Sequence, residues 1–408
     1  MLCQFSVKNF KSIKQQVTFD MQTAQISEHE NQVLKCKDGE SFLPVAVLYG
    51  PNGGGKTNVL QAMFSLCALV LKAKYSIQGN HEDRDNVNRN SIVPFLFSED
   101  SQQQATEFEI FFRTQKSEYR YILHVKNNNV VYESLDRIKF ETKRKSSLFE
   151  KKDKIVLKGE LAHLKVSDDL SEDIPLLSYL GLTYKKNEVI NDVMKWFESQ
   201  MVFINYGNPS REAILFVNKS KEYKRLIVDM IKELDLDIED FRVEEIDGKI
   251  NEIYTTHIIE GYSQEISLKD ESSGTKKIFG LLPFIITSLM HGRTLIVDEL
   301  DAKVHPMLLK YIIELYTNMS INKNQSQLIF TSHDLSTLNG DIFRRDEIWF
   351  VAKGNEQNSV LYSLVEFKDE DGKSVRKDAR FDKQYLEGKY GADPYLKKII
   401  DWSYLDGQ

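Results

Sequence analysis

Cysteine is scarce: Cys3, Cys36 and Cys67 are the only three in 408 residues, and no two form a Cys-x-x-Cys pair. That excludes a disulfide framework and zinc-ligand spacing, and it predicts a reducing, cytoplasmic setting. Proline and glycine number 8 and 20, about 2% and 5% against the usual ~5% and ~7%. Collagen-like and low-complexity chains are thereby excluded, and 41% hydrophobic with 11% aromatic residues excludes disorder. Positive charge is not in excess. Lys and Arg total 54 against 61 Asp and Glu, a net charge of −7, which rules out a globally basic nucleic-acid coat but not a local basic groove. The longest apolar stretch, residues 278–290, falls short of the ~18 residues a spanning helix needs. It predicts a buried core helix and no membrane partner. The first ten residues show no basic head followed by an apolar core, so no secretory signal is read there.

The length allows two or three domain-sized units. Phe5 and Val7 alternate with Ser6 and Lys8, and Val17-Thr-Phe19 follows a turn, which predicts strand, turn, strand. Val45–Tyr49 is an apolar run without a polar face, the pattern of a buried strand. A helix is expected from Asn58 to about Ala73, with Leu60, Met63, Phe64, Cys67 and Leu71 at helical spacing. Residues 76–106 are polar and read as loop. Strands at 107–112 and 119–125 then lead to a hairpin turn at Asn127–Asn129. Residues 139–240 read as largely helical, with helices at 191–197 and 223–234 and no sustained heptad pattern.

Gly50-Pro-Asn-Gly-Gly-Gly55-Lys56-Thr57 fits the phosphate-loop pattern and stands between that strand and that helix. Glycines let backbone N–H groups turn toward phosphate, Lys56 neutralises its charge, and Thr57 offers an oxygen to Mg²⁺. The expected nucleotide-binding set is Asn52, Gly53, Gly54, Gly55, Lys56, Thr57 and Asn58. Thr294-Leu-Ile-Val-Asp298-Glu299 is an apolar strand ending in two acids, at the strand edge where α/β sheets bind ligands. Asp298 is expected to hold Mg²⁺ and Glu299 to polarise the attacking water as general base. Standing alone, two such acids equally suit a simple strand cap.

Ser272-Ser273-Gly274-Thr275 opens the apolar helix about twenty residues before those acids. It reads either as an N-cap or as an anion site. Thr331-Ser-His333-Asp follows a second apolar strand, 327–330. His333 is either a structural residue or a donor to phosphate.

Taken in chain order, these motifs resemble the ABC-type ATPase heads of the SMC and RecF-like group. They resemble more closely the bacterial "AAA-type" ATPases of abortive-infection and related anti-phage systems. The resemblance covers residues 1–20, 45–73 and 241–351, and extends to Phe5–Ser12 and Tyr385–Ala392. It implies an α/β ABC-type head, a mixed sheet around a P-loop core plus an antiparallel β subdomain, with an inserted mainly helical region. On that template residues 1–138 and 241–408 form the head and 139–240 the insertion. ATP and Mg²⁺ are the implied cofactors. ATP is implied to be sandwiched head to tail in a homodimer or higher oligomer. The signature of one subunit (Ser272, Ser273, Gly274, Thr275) then closes on nucleotide held by the loop of another. Asp301 takes the loop between the two sites, and His333 becomes the switch histidine, catalytic together with Lys56 and Glu299. Two departures stand out: the signature reads Ser-Ser-Gly-Thr-Lys, and Gln102, Gln103 and Gln104 compete for the place of the metal-coupling glutamine.

The biology so implied is phage defence, with a separate effector, a nuclease or toxin encoded nearby. Eight Lys and Arg within 139–158 leave a DNA contact open, as in a repair clamp, although a solvated hairpin has the same composition. A scaffold that binds nucleotide without hydrolysis is the third reading, and a transporter subunit the weakest.

Overall fold

The computed structural model describes residues 1–78, 92–204, 220–234, 237–246, 249–354, 356–369 and 371–392. Its centre is a six-stranded sheet ordered 201–204, 294–297, 327–331, 45–49, 348–353, 359–363. The first five strands run parallel and the last is antiparallel to its neighbour. Every residue of Val45–Tyr49 and of Gln327–Thr331 is buried, as both faces are covered. On one face Ala46, Leu48, Ile296 and Ile329 pack with the Lys56–Val70 helix. On the other, Val45, Val47, Leu295 and Phe330 meet the Ser273–His291 and Pro306–Thr317 helices.

A seven-stranded antiparallel sheet, ordered 155–157, 145–151, 129–139, 117–126, 106–113, 2–8, 17–20, shares the first of these cores. Thr106–Arg113 and Ser117–Lys126 alternate buried and half-buried residue by residue, the signature of a sheet with one face packed. Asn127 and Asn128, at φ 51° and 65°, make the expected hairpin turn; asparagine tolerates that left-handed backbone. Asn9, also left-handed at φ 55°, is buried and ties the first hairpin to the 95–105 segment. Its side-chain amide donates to Ser101 O, Gln104 O and Ala105 O, and its carbonyl accepts from Phe95 N.

The region expected to be mainly helical, 139–240, differs from that reading. It does hold helices at Leu176–Thr183, Glu188–Ser199 and Lys221–Glu233. It opens, however, with strands Lys145–Lys151 and Ile155–Leu157, which extend the antiparallel sheet through pairing with 129–139. Met201–Ile204 then joins the central sheet as its edge strand, parallel to Thr294–Val297. Sequence position 139 therefore marks no boundary, because backbone pairing carries the sheet across it. A three-stranded sheet, 240–267, packs Phe241 and Ile253 against the Ser273–His291 helix side of the core. The 76–106 segment is loop except for helical turns at Lys72–Gln78 and Glu99–Gln102, and residues 79–91 lie outside the described residues.

Tyr385 and Tyr390 stack on Phe350, with ring centroids at 5.6 and 4.9 Å, so both are packing residues; Tyr395 lies outside the described residues. No helix among the described residues is long and apolar enough to cross a membrane.

Candidate functional site

Parallel strands point their C-terminal ends to one edge, and the chain orders its motifs so that they meet there. Tyr49 leads into the glycine loop, Val297 into Asp298 and Glu299, and Thr331 into Ser332 and His333. The strands ending at Val297 and at Tyr49 flank the one ending at Thr331.

The glycine loop needs its glycines for space as well as for backbone shape. Gly50 lies against the Val351 carbonyl, where a Cβ would stand 2.2 Å from the oxygen. Gly55, at φ 110°, caps the Lys56–Val70 helix, and a Cβ there would fall 2.0 Å from Ser359 Oγ. That serine donates to the Gly54 carbonyl at 2.6 Å and its Oγ lies in hydrogen-bond contact with Ser12 Oγ at 2.7 Å, while Ser12 accepts from the Asn58 amide at 2.6 Å. Asn52 and Gly53 are exposed at the loop tip. The loop is thus clamped from outside its own segment by Ser12 and Ser359, neither of which the motif pattern contains.

Lys56 is buried and donates to the Gly50 carbonyl at 2.8 Å and to that of Pro51 at 3.3 Å. Burial pushes its amine down to about 8, against the opposing pull of Asp298, Glu299 and Asp301. Thr57 Oγ1 donates to Asp298 Oδ2 at 2.9 Å, which unites the loop's hydroxyl with the first acid. Glu299 sits at φ 51°, a left-handed backbone rare for its residue type. Its amide donates to Thr331 Oγ1 at 2.7 Å. Asp301 accepts from the His333 amide at 2.9 Å through Oδ2, while its buried Oδ1 has no partner among the described residues. His333 is exposed; partial burial and then the Lys56 charge lower its pKa.

Ser272 caps the Ser273–His291 helix, its Oγ accepting from Thr275 N at 3.1 Å, so the N-cap geometry is present. Ser272 and Ser273 are exposed, Gly274 is partly exposed and Thr275 buried. Among the described residues no hydrogen bond joins these four to the glycine loop of the same chain. They abut the acid loop instead: a Cβ on Gly274 would lie 2.9 Å from the Lys303 carbonyl oxygen. Beside them is a residue to which sequence reasoning gave no role. Lys277 is buried, and its amine donates to the carbonyls of Glu299 at 2.6 Å and Ala302 at 2.7 Å. Of the candidate glutamines, Gln102 donates its side-chain amide to the Leu96 carbonyl, and Gln104 serves Asn9 through its backbone.

Thr57 and Asp298 form a hard-oxygen pair. No group of three or more His, Cys, Asp or Glu among the described residues is placed to hold a metal. One carboxylate and one hydroxyl suit Mg²⁺, which keeps waters and takes its remaining ligands from substrate phosphates. The residues present fit that ion.

The fold and site are those of an α/β P-loop protein. The chain belongs to the family described as "AAA domain, putative AbiEii toxin, Type IV TA system", whose match spans residues 45–339, from the first strand of the central sheet to just past His333. A solved structure similar to it is titled "Crystal structure of the SmcHead bound to the C-winged helix domain of ScpA". The two share 13% identity over 89% of this chain and 97% of that one, with a TM-score of 0.41. No curated protein matches the chain.

Proposed function

We propose that this protein binds and hydrolyses ATP at a head-to-tail subunit interface and that its nucleotide state controls a partner effector in bacterial anti-phage defence. The observation that carries the reading is the Thr57–Asp298 hydrogen bond at the edge where the glycine loop, the acid pair and His333 meet. Phosphate is expected against the loop amides, with Lys56 leaving its Gly50 and Pro51 carbonyls to meet the anion. Thr57 and Asp298 would hold Mg²⁺, which neutralises charge on the transferring phosphoryl group. Glu299 is the assigned general base, and His333 a donor to the phosphate end. The exposed Ser272 and Ser273, on a capped helix start, supply the complementary surface that a second copy would bring to the same nucleotide. Losing the γ-phosphate then removes the shared ligand and loosens the pair. The defence role draws on the family description, which names a toxin of a toxin–antitoxin system.

ATP turnover by the wild type and by Glu299→Gln tests the reading. The variant should bind ATP, form the nucleotide-dependent dimer, and turn over at least ~100-fold slower, the scale of general-base assistance. Equal rates would remove Glu299 from the role. A chain that binds no ATP would sink the proposal whole. A second reading, a DNA clamp, draws on Lys143, Arg144 and Lys145. These are exposed at a hairpin turn and have no ion pair among the described residues, whereas Lys139 and Lys158 are paired with Glu160 and Glu150.

A further inference from the structure

The acid loop is only partly held by its own hydrogen bonds, Ala302 N to Glu299 O at 3.2 Å and Val304 N to Asp301 O at 3.0 Å. Glu299 and Lys303 both lie in the left-handed region, at φ 51° and 63°, which costs free energy for residues with a side chain. Something outside the loop must over-determine it. The loop's outward carbonyls show what does: the buried Lys277 amine bridges Glu299 O and Ala302 O, and Gly274 admits the Lys303 carbonyl where any Cβ would collide. All three contacts come from the first two turns of one helix, whose exposed start is Ser272–Gly274.

We propose that Lys277 is a positioning residue that fixes the acid loop to the start of the signature helix, so that Ser272–Gly274 and the acids Glu299 and Asp301 move as one body. The role rests on the ATPase reading for its consequence. In a head-to-tail pair the signature start touches one nucleotide and the acid loop serves the other. Lys277 then passes the closing of one site to the geometry of its neighbour through a single rigid contact. Lys277 itself touches no nucleotide. A cationic amine between two carbonyls makes charge-assisted bonds, which no apolar residue of equal length replaces.

The full-length chain carrying Lys277→Met or Lys277→Arg tests this. Methionine keeps the bulk of the stem without a donor; arginine keeps charge and donors. Three quantities are measured: binding of a fluorescent ATP analogue, ATP turnover, and amide exchange over residues 272–277 and 298–304. For Lys277→Met, binding should stay within ~3-fold while kcat falls at least ~30-fold, and Lys277→Arg should recover most of the loss. Exchange over 298–304 should quicken in Lys277→Met. A non-hydrolysable ATP analogue should slow exchange over both segments in the wild type but only over 272–277 in that variant. Turnover within ~3-fold of wild type, or a loss carried wholly by weaker binding, overturns the proposal. So does unchanged exchange over 298–304. Should the wild type turn over no ATP, the ATPase reading fails separately, and exchange over 298–304 still decides whether Lys277 holds the loop.

Discussion

The Thr331 hydroxyl donates to Asp298 Oδ1 at 2.6 Å. Thr331 Oγ1 itself accepts from the Glu299 amide at 2.7 Å, so one side chain on the middle of three parallel strands orients both acids. Thr331 is fully buried. Thr331→Val keeps the shape and removes the hydroxyl, leaving a buried carboxylate oxygen and a backbone N–H without that partner. The expected loss is about 1–3 kcal/mol of stability, read from denaturant midpoints. Turnover should fall by more than nucleotide affinity, because Glu299 loses its anchor. A variant with wild-type turnover would show that the acids are held by other means.

Gly55 faces two kinds of obstacle to a side chain: a φ of 110°, and the hydroxyls of Ser359 and Ser12, 2.0 and 2.8 Å from where a Cβ would stand. Gly55→Ala should therefore cost about 2 kcal/mol or more and abolish ATP binding, since the strain of a non-glycine residue there adds to the clash. The double variant Gly55→Ala with Ser359→Ala separates the two. It removes the nearest contact but leaves Ser12 Oγ at 2.8 Å and the residue-359 Cβ at 3.0 Å as well as the backbone strain, and should recover stability only in part, as measured by thermal unfolding.

The glycine loop and the acid pair, which the structure brings to one edge of the central sheet, stand out in the sequence because each is a contiguous pattern. The same holds for Val45–Tyr49 and Thr294–Val297, whose burial on both faces writes an unbroken apolar run. Met201–Ile204 escaped notice because it is four residues within a stretch read as largely helical; only pairing with a strand about ninety residues later makes them sheet. Lys145–Lys151 carries two Lys, two Ser and one Glu in seven residues, and it becomes a strand by pairing with 129–139. Lys277 reads as one of two surface lysines after a serine-glycine turn. Its partners are carbonyls 22 and 25 residues away, and backbone groups leave no mark in the sequence.

The basic turn at 143–145 distinguishes the two functional readings. Its three side chains are exposed and unpaired among the described residues, so Lys143→Ala, Arg144→Ala and Lys145→Ala together should change stability by no more than about 0.5 kcal/mol. ATP turnover without DNA should also be unchanged. Under the clamp reading, the logarithmic salt slope of DNA binding should become shallower by about 0.9 for each charge removed from duplex contact. Under the defence reading, with a protein effector, wild type and triple variant should bind DNA alike.

Glu347, at the opposite end of the parallel strands from the glycine loop, predicts a pH dependence of stability. It is fully buried at the start of the Ile348–Lys353 strand, with Oε2 accepting the Arg344 amide at 2.8 Å and Oε1 without a partner among the described residues. Burial, reinforced by the Asp346 charge and only partly opposed by the Arg344 bond, pushes its carboxyl up to about 8. The folded chain therefore holds a proton on Glu347 that the unfolded chain has already released, across the window from about 4.5 to about 8. With more protons bound in the native state, stability from this group falls as pH rises through that window and levels off above it. Glu347→Gln keeps the shape of the protonated acid and cannot ionise. Its stability relative to wild type should grow by a few kcal/mol, on the order of magnitude set by ~1.4 kcal/mol per pH unit, between pH 5 and pH 8. Denaturant unfolding of both proteins at intervals of pH reads the difference directly, and two parallel curves would mean that Glu347 is ionised in the fold at every pH tested.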